Sequence, residues 1–130
     1  MGLAYATAER GACHARTTFY KAELAGISPP DELEGKAAHF VEFEDRMSLM
    51  DALILCRFYR DLYFWEEYST ILRLTTGMDV DRKGLQNIAR NIKSEARTFN
   101  LREGATRADD TLPSRFFQEP LKDSGKTCGL

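Results

Sequence analysis

Cysteine is scarce in this 130-residue chain. Cys13, Cys56 and Cys128 are an odd number at wide spacing, so they do not form a disulfide framework and they suit a reducing cytoplasm. Long apolar runs are missing as well, which excludes a helix that crosses a bilayer. The first residues, "MGLAYATAERG", lack a basic stretch followed by an apolar core, so no secretory signal is visible. Gly2 would suit myristoylation, but Ala6 stands where Ser or Thr is wanted. There is no surplus of one charge. The net value is −2 with both signs mixed, and nothing argues for nucleic acid or an anionic membrane surface as partner. No internal repeat occurs, and no run alternates at period two as a half-buried strand would. With 43% hydrophobic and 29% charged residues, the chain has the composition of a soluble globular protein with one core.

Helical periods dominate what is present. The Ala-rich segment "GLAYATAERG" predicts a short helix ending at Gly11, and "TTFYKAELAG" reads as a short irregular segment, strand or helix. Ser28, Pro29 and Pro30 before Asp31 and Glu32 predict a helix start. Phe40, Phe43, Met47, Met50 and Ile54 then step by three and four, one core-facing stripe from which Glu42, Glu44, Asp45 and Arg46 mostly depart. Helix geometry should break in the apolar stretch from Asp51 to Phe58. A second helix is expected over 62–76, with Phe64, Trp65, Tyr68, Ile71, Leu72 and Thr75 on one face and Gly77 as its terminal glycine. Asp79 or Asp81 would cap a third helix over 82–100, which faces inward with Leu85, Ile88, Ala89, Ile92, Ala96 and Phe99. Its outer face (Arg82, Lys83, Arg90, Lys93, Arg97) reads as solvated. Phe116 and Phe117 should pin the turn-rich end to the helices. The expected fold is all-α, a multihelical orthogonal array: one helical domain over 1–120 with a disordered tail at 121–130.

Two short stretches could carry chemistry. Cys56, at the end of "DALILC", is by itself best read as a small buried hydrophobe. It has no neighbouring cysteines, as a self-contained iron–sulfur or zinc site would need. In "RGACHAR", His14 sits in a turn rather than on a core stripe, and histidine exchanges a proton near neutral pH. Arg10 and Arg16 can hold an anion or polarise a carbonyl beside it. A loop histidine of this kind is more often inert.

The stretches carry more weight together. "TAERGACHAR", "DALILC" and "FNLREGATRADDTLPSRF" resemble, in the same order, the "TxxRGxCHxR", "DxxGLC" and "FNxREGxxRxDDxLPxRF" segments of the C-terminal helical part of the tungsten-containing aldehyde:ferredoxin oxidoreductases. The third segment, Phe99 to Phe116, is long and specific, and the resemblance runs from about Gly2 to Pro120. It implies an enzyme that holds tungsten (or molybdenum) between two pterins beside a 4Fe–4S cluster. Such an enzyme oxidises an aldehyde to a carboxylate and passes electrons through the cluster to ferredoxin. Carried over by position, Cys56 resembles the last of the cluster thiolates, and Asp51 the carboxylate that accepts hydrogen bonds from a pterin edge. His14 resembles the active-site histidine near the metal, a candidate proton carrier or donor to the oxo group. The same carry-over puts Arg16 and Leu55 among the cofactor-binding residues.

One motif position departs: Ile54 stands where the family has glycine. If that glycine serves a left-handed turn, isoleucine costs roughly 1–2 kcal/mol there. The other cluster cysteines, the first pterin carboxylate and the N-terminal β domain of the family do not occur among these residues. The resemblance therefore implies a C-terminal fragment, inert and without cofactor by itself. Its partners would be the missing pterin-binding half, ferredoxin and the aldehyde. Apolar residues within 53–63 would face that half, and would drive self-association in its absence. The alternative is a free-standing helical binding or scaffold module derived from the same family. Retention of Asp51, Cys56 and His14 together favours the first reading.

Overall fold

The computed structural model describes residues 1–119; the expected disordered tail and Cys128 lie outside the described residues. Among the described residues the protein is all-α, with six α-helices, two 3₁₀ turns and no strand beyond one isolated bridge between Glu9 and Gly11. The helices are α1 (Gly2–Thr7), α2 (Tyr20–Leu24), α3 (Lys36–Ala52), α4 (Trp65–Thr76), α5 (Arg82–Arg102) and α6 (Arg115–Gln118). The 3₁₀ turns are Arg57–Tyr59 and Arg107–Asp109. The described residues form two compact units, one from residues 1–40 with 105–119, the other from Val41 to Gly104.

The first unit is small and loop-rich. Phe19, just before α2, meets Phe40 of α3 edge-on at 5.5 Å, and Ala4 and Ala22 are buried with them. The N-terminal amine pairs with Glu23 at 3.0 Å. Several boundaries differ from the sequence expectation. Helix α1 stops at Thr7, because Ala8 is already extended. "YKAEL" is a helix, not an irregular segment. The Ser28–Glu32 stretch is a turn, with the Glu32 amide donating to the Pro29 carbonyl, and α3 starts only at Lys36. Gly35 has φ +70, a left-handed residue that interrupts helix propagation. Phe116 and Phe117 remain 59% and 70% exposed, so they do not pin the chain end.

The second unit holds the larger core. Met47, Leu49 and Met50 of α3 meet Trp65 and Tyr68 of α4 and Leu85 and Ala89 of α5. Helix α4 begins at Trp65, three residues later than its apolar pattern, with Glu67 accepting from the Phe64 amide at 2.8 Å. Phe64 and Thr75 lie outside its buried face. Gly77 closes α4 at φ +78, as expected. Asp81 rather than Asp79 caps α5, accepting from the Gly84 amide at 2.8 Å. Phe99 is 61% exposed, since the inward stripe of α5 runs past the core before reaching it.

Helix α3 is enclosed more completely than one stripe implies: Asp45, Arg46 and Ser48 are buried too. Two groups cover them. The basic face of α5 stays solvated at Arg82, Lys83 and Arg90, as expected, but it also supplies partners to α3, with Lys93 on Glu44 at 2.9 Å, Arg90 near Asp45 at 3.7 Å and Arg82 on Glu42 at 3.0 Å. On another side, the Arg46 guanidinium donates to the carbonyls of Arg60 (3.2 Å) and Tyr63 (2.9 Å) and sits 4.3 Å from the Phe64 ring centre. Arg46 thus braces the loop that follows "DALILC". A sequence signal existed in its spacing from Phe43, whose ring lies 5.7 Å from the guanidinium.

Candidate functional site

The end of α3 builds the first candidate element. The Ile54 amide donates to the Asp51 carbonyl at 3.0 Å, and the Leu55 amide reaches back to the Met50 carbonyl at 2.9 Å. This pair of bonds is a Schellman helix end, which requires a left-handed residue at its C′ position. That residue is Ile54, at φ +56 and 92% exposed. It ends the helix instead of extending the apolar stripe, as its spacing had implied. The turn is held despite the isoleucine because Leu55 packs on the core beside Met50, the apolar contact that accompanies this motif.

The turn projects two reactive groups. Cys56 is exposed, against the buried small hydrophobe that its isolation implied, and is in no disulfide. The Asp51 carboxylate is one-third exposed and accepts from Arg57 Nη2 at 2.5 Å. Tyr68 of α4 is fully buried, and its phenol feels the charges of Arg46, Arg57 and Asp51. Burial pushes its phenol up to about 12, against the pull of Arg46 and Arg57. Neither the Tyr68 hydroxyl nor Arg57 Nη1 has a hydrogen-bond partner, and both atoms are enclosed. Composition and periodicity assigned Arg57 no role and Tyr68 only a place on the apolar face of α4; neither signal linked them to Asp51.

The second element is the loop between α1 and α2, in the first unit. His14 is exposed, and its carbonyl accepts from the Thr18 amide at 3.0 Å, with Thr18 itself left-handed at φ +50. Arg16 is engaged in an ion pair with Glu9, so its charge is already neutralised within the loop. Cys13 was assigned no chemistry from sequence, yet Arg10 donates to its sulfur from Nε at 3.3 Å and Nη2 at 3.2 Å. Partial burial raises this thiol, but the Arg10 contacts together with the Ala15 and Arg16 backbone amides bring the net shift downward.

The third stretch, Phe99 to Phe116, serves the fold. Gly104, at φ +96, ends α5. Thr106 then caps the next turn, accepting from the Ala108 amide at 3.2 Å while Asp109 accepts from the Thr106 amide at 2.7 Å.

Asp51, Leu55 and Cys56 share one turn of the second unit; His14 and Arg16 share one loop of the first. Among the described residues no group of three or more His, Cys, Asp or Glu side chains could by itself hold a metal ion. An exposed thiol and a partly exposed carboxylate on one rigid turn fit a share of a larger site, one cluster ligand beside one acceptor for N–H donors. A groove of about 760 Å³ in the second unit, walled by Trp65, Glu42 and Arg82, contains none of these residues. No helix of the described residues is long and apolar enough to cross a membrane.

A helical domain with one exposed thiol and one partly exposed carboxylate on a helix-ending turn carries too few ligands to hold a metal by itself. Comparison with known proteins makes the assignment specific. The family described as "Aldehyde ferredoxin oxidoreductase, domains 2 & 3" matches residues 1–129, and the chain belongs to this family. It is 33% identical over 127 residues to the tungsten-containing aldehyde ferredoxin oxidoreductases of Pyrococcus furiosus and Thermococcus kodakarensis, and 32% identical to that of Pyrococcus horikoshii. Each alignment covers 94% of this chain and 21% of the relative. The chain therefore spans about a fifth of the length of the relatives it matches.

Proposed function

We propose that this chain is the C-terminal part of a cytoplasmic tungstopterin oxidoreductase that converts aldehydes to carboxylates with ferredoxin as electron acceptor. By itself it would be inactive, its partner being a pterin-binding N-terminal half. The observation that carries the reading is the Asp51–Cys56 turn. Its backbone needs a left-handed residue at position 54, where the family motif has glycine, and it presents Asp51 and Cys56 outward.

The residues divide the work by their chemistry. The Asp51 carboxylate accepts N–H donors from a pterin edge and fixes the ring's orientation. Leu55, anchored in the core, holds the turn at a constant distance from that ring. Cys56 would be one ligand of a 4Fe–4S cluster, on the same helix-ending turn as Asp51, so this turn would serve both the cluster and the pterin. His14, on an exposed loop, holds or delivers a proton to the reacting oxygen. Arg16, paired with Glu9, braces that loop. When bound, tungsten (or molybdenum), the pterins and the cluster supply the two-electron oxidation and the one-electron steps to ferredoxin.

The test supplies the pterin-binding half by co-expression. Cys56→Ser should then lower iron content and abolish electron transfer to ferredoxin, whereas Cys13→Ser should leave iron content unchanged. Loss of iron with Cys13→Ser and a silent Cys56→Ser would overturn the assignment.

A further inference from the structure

Asp51 is already engaged. Its Oδ2 accepts from Arg57 Nη2 at 2.5 Å, in the place where a ligand's N–H donor would come. Both side chains are open to solvent, Arg57 at 22% and Asp51 at 33%, so an arriving ring can reach the pair. The other nitrogen of the fork, Arg57 Nη1, is enclosed without an acceptor. The Tyr68 hydroxyl is enclosed without a partner as well, and it feels the charge of Arg46 first, then that of Arg57, and also that of Asp51. An enclosed donor on Arg57 and an enclosed hydroxyl on Tyr68, both left unpaired, are an unfavourable arrangement that a rearrangement of the guanidinium can relieve. The guanidinium has two places to go, and only one is taken.

We propose that Arg57 is a displaceable latch on Asp51. In the closed arrangement it occupies Oδ2 of the carboxylate; when a heterocycle with adjacent N–H donors arrives, the guanidinium turns onto the buried Tyr68 hydroxyl and yields that oxygen to the ring. The inference rests on Asp51 being the pterin carboxylate of the proposed function. It adds a cation that competes with the cofactor and an acceptor that receives the cation. Arg57 and Tyr68 act through Asp51 and are positioning residues. The exchange makes the turn self-neutralised before the ring arrives, and it lowers apparent affinity by the fraction of chains in which Asp51 is open.

Free pterin, followed by its ring fluorescence, is the probe. A half-site binds weakly, so the titration of the 130-residue chain extends into the millimolar range. Arg57→Gln should bind pterin roughly tenfold more tightly than the parent chain. Arg57→Lys keeps the charge but not the fork and should also bind more tightly; it replaces Arg57→Gln should that variant lose helicity. Tyr68→Phe should weaken binding when Arg57 is present and do nothing in the Arg57→Gln background, a coupling that a merely structural role would not produce. Equal or weaker binding by both Arg57 variants, with Asp51→Asn still reducing it, would overturn the latch and leave the Asp51 assignment standing. Pterin binding indifferent to Asp51→Asn, or absent from every chain, would overturn both.

Discussion

The amide of Leu55 and the carbonyl of Met50 are joined at 2.9 Å across a helix end whose left-handed residue is an isoleucine. Leu55 therefore does two things. Its backbone closes the turn, and its side chain packs on the core that Met50 belongs to. The turn that carries Asp51 and Cys56 is held from the inside, while Ile54 outside contributes strain and almost no burial.

Ile54→Gly should stabilise the protein. A β-carbon in the left-handed region costs roughly 1–2 kcal/mol, and the greater freedom of glycine in the unfolded chain returns part of that. The net gain should be about 1 kcal/mol, read as a higher midpoint in urea at unchanged slope. An unchanged or lower midpoint would show that the exposed side chain has a contact of its own.

Asp45 should make stability depend on pH. Burial pushes its carboxyl from 3.8 up to about 6, against the pull of Arg90 and Lys93, with Glu44 and Glu42 adding to the rise. The folded state therefore holds this proton more tightly than the unfolded chain between about pH 4 and 6. The contribution is fully present below the unfolded value and is lost as pH rises through the folded one. Stability of the parent chain relative to Asp45→Asn should rise as pH falls from 7 to 4, measured by denaturation at each pH. A flat difference would show that Asp45 keeps its charge.

Arg46→Ala should destabilise the second unit by about 2–4 kcal/mol, since it strips partners from two loop carbonyls and removes a buried stem. Arg46→Lys should recover part of this, because one ammonium can reach only some of those acceptors. Thermal unfolding followed by circular dichroism reads both.

Cys13 should alkylate at lower pH than its surroundings would allow without Arg10. Arg10→Gln removes the donors to its sulfur and should move the iodoacetamide pH profile of Cys13 upward, with peptide mapping to separate it from Cys56. An unmoved profile would show that the guanidinium does not stabilise the thiolate.

The stretch after α3 should drive self-association. Ile54, Phe58 and Leu62 are 92%, 89% and 64% exposed, an apolar surface of the kind that finds a partner. Sedimentation velocity should show concentration-dependent association that the double variant Phe58→Glu, Leu62→Glu suppresses. A strictly monomeric parent chain at high concentration would count against it.

Much of the architecture was legible in the sequence because it is local. The helical periods of α3, α4 and α5 follow from the spacing of Met47 and Met50, Trp65 and Tyr68, and Leu85 and Ala89, and the caps at Gly77 and Asp81 from residue types with few alternatives. The three motifs, read in order, were enough for the family. Helix starts were less legible. The Pro29–Glu32 segment has the composition of an N-terminus but folds as a turn, since Gly35 downstream decides where the helix can begin.

What the sequence by itself determined is the all-α class, the family, and the presence of Asp51, Cys56 and His14 at motif positions. Each of these depends on which residue types stand at which spacing. Only the tertiary structure decided that Asp51 is held by Arg57, that the Tyr68 hydroxyl is enclosed without a partner, that Arg46 braces the next loop, and that basic residues of α5 pair with α3. These are contacts between residues on different turns and helices. Their partners are selected by which faces the packed core leaves next to one another, and a linear pattern of charges carries no record of that.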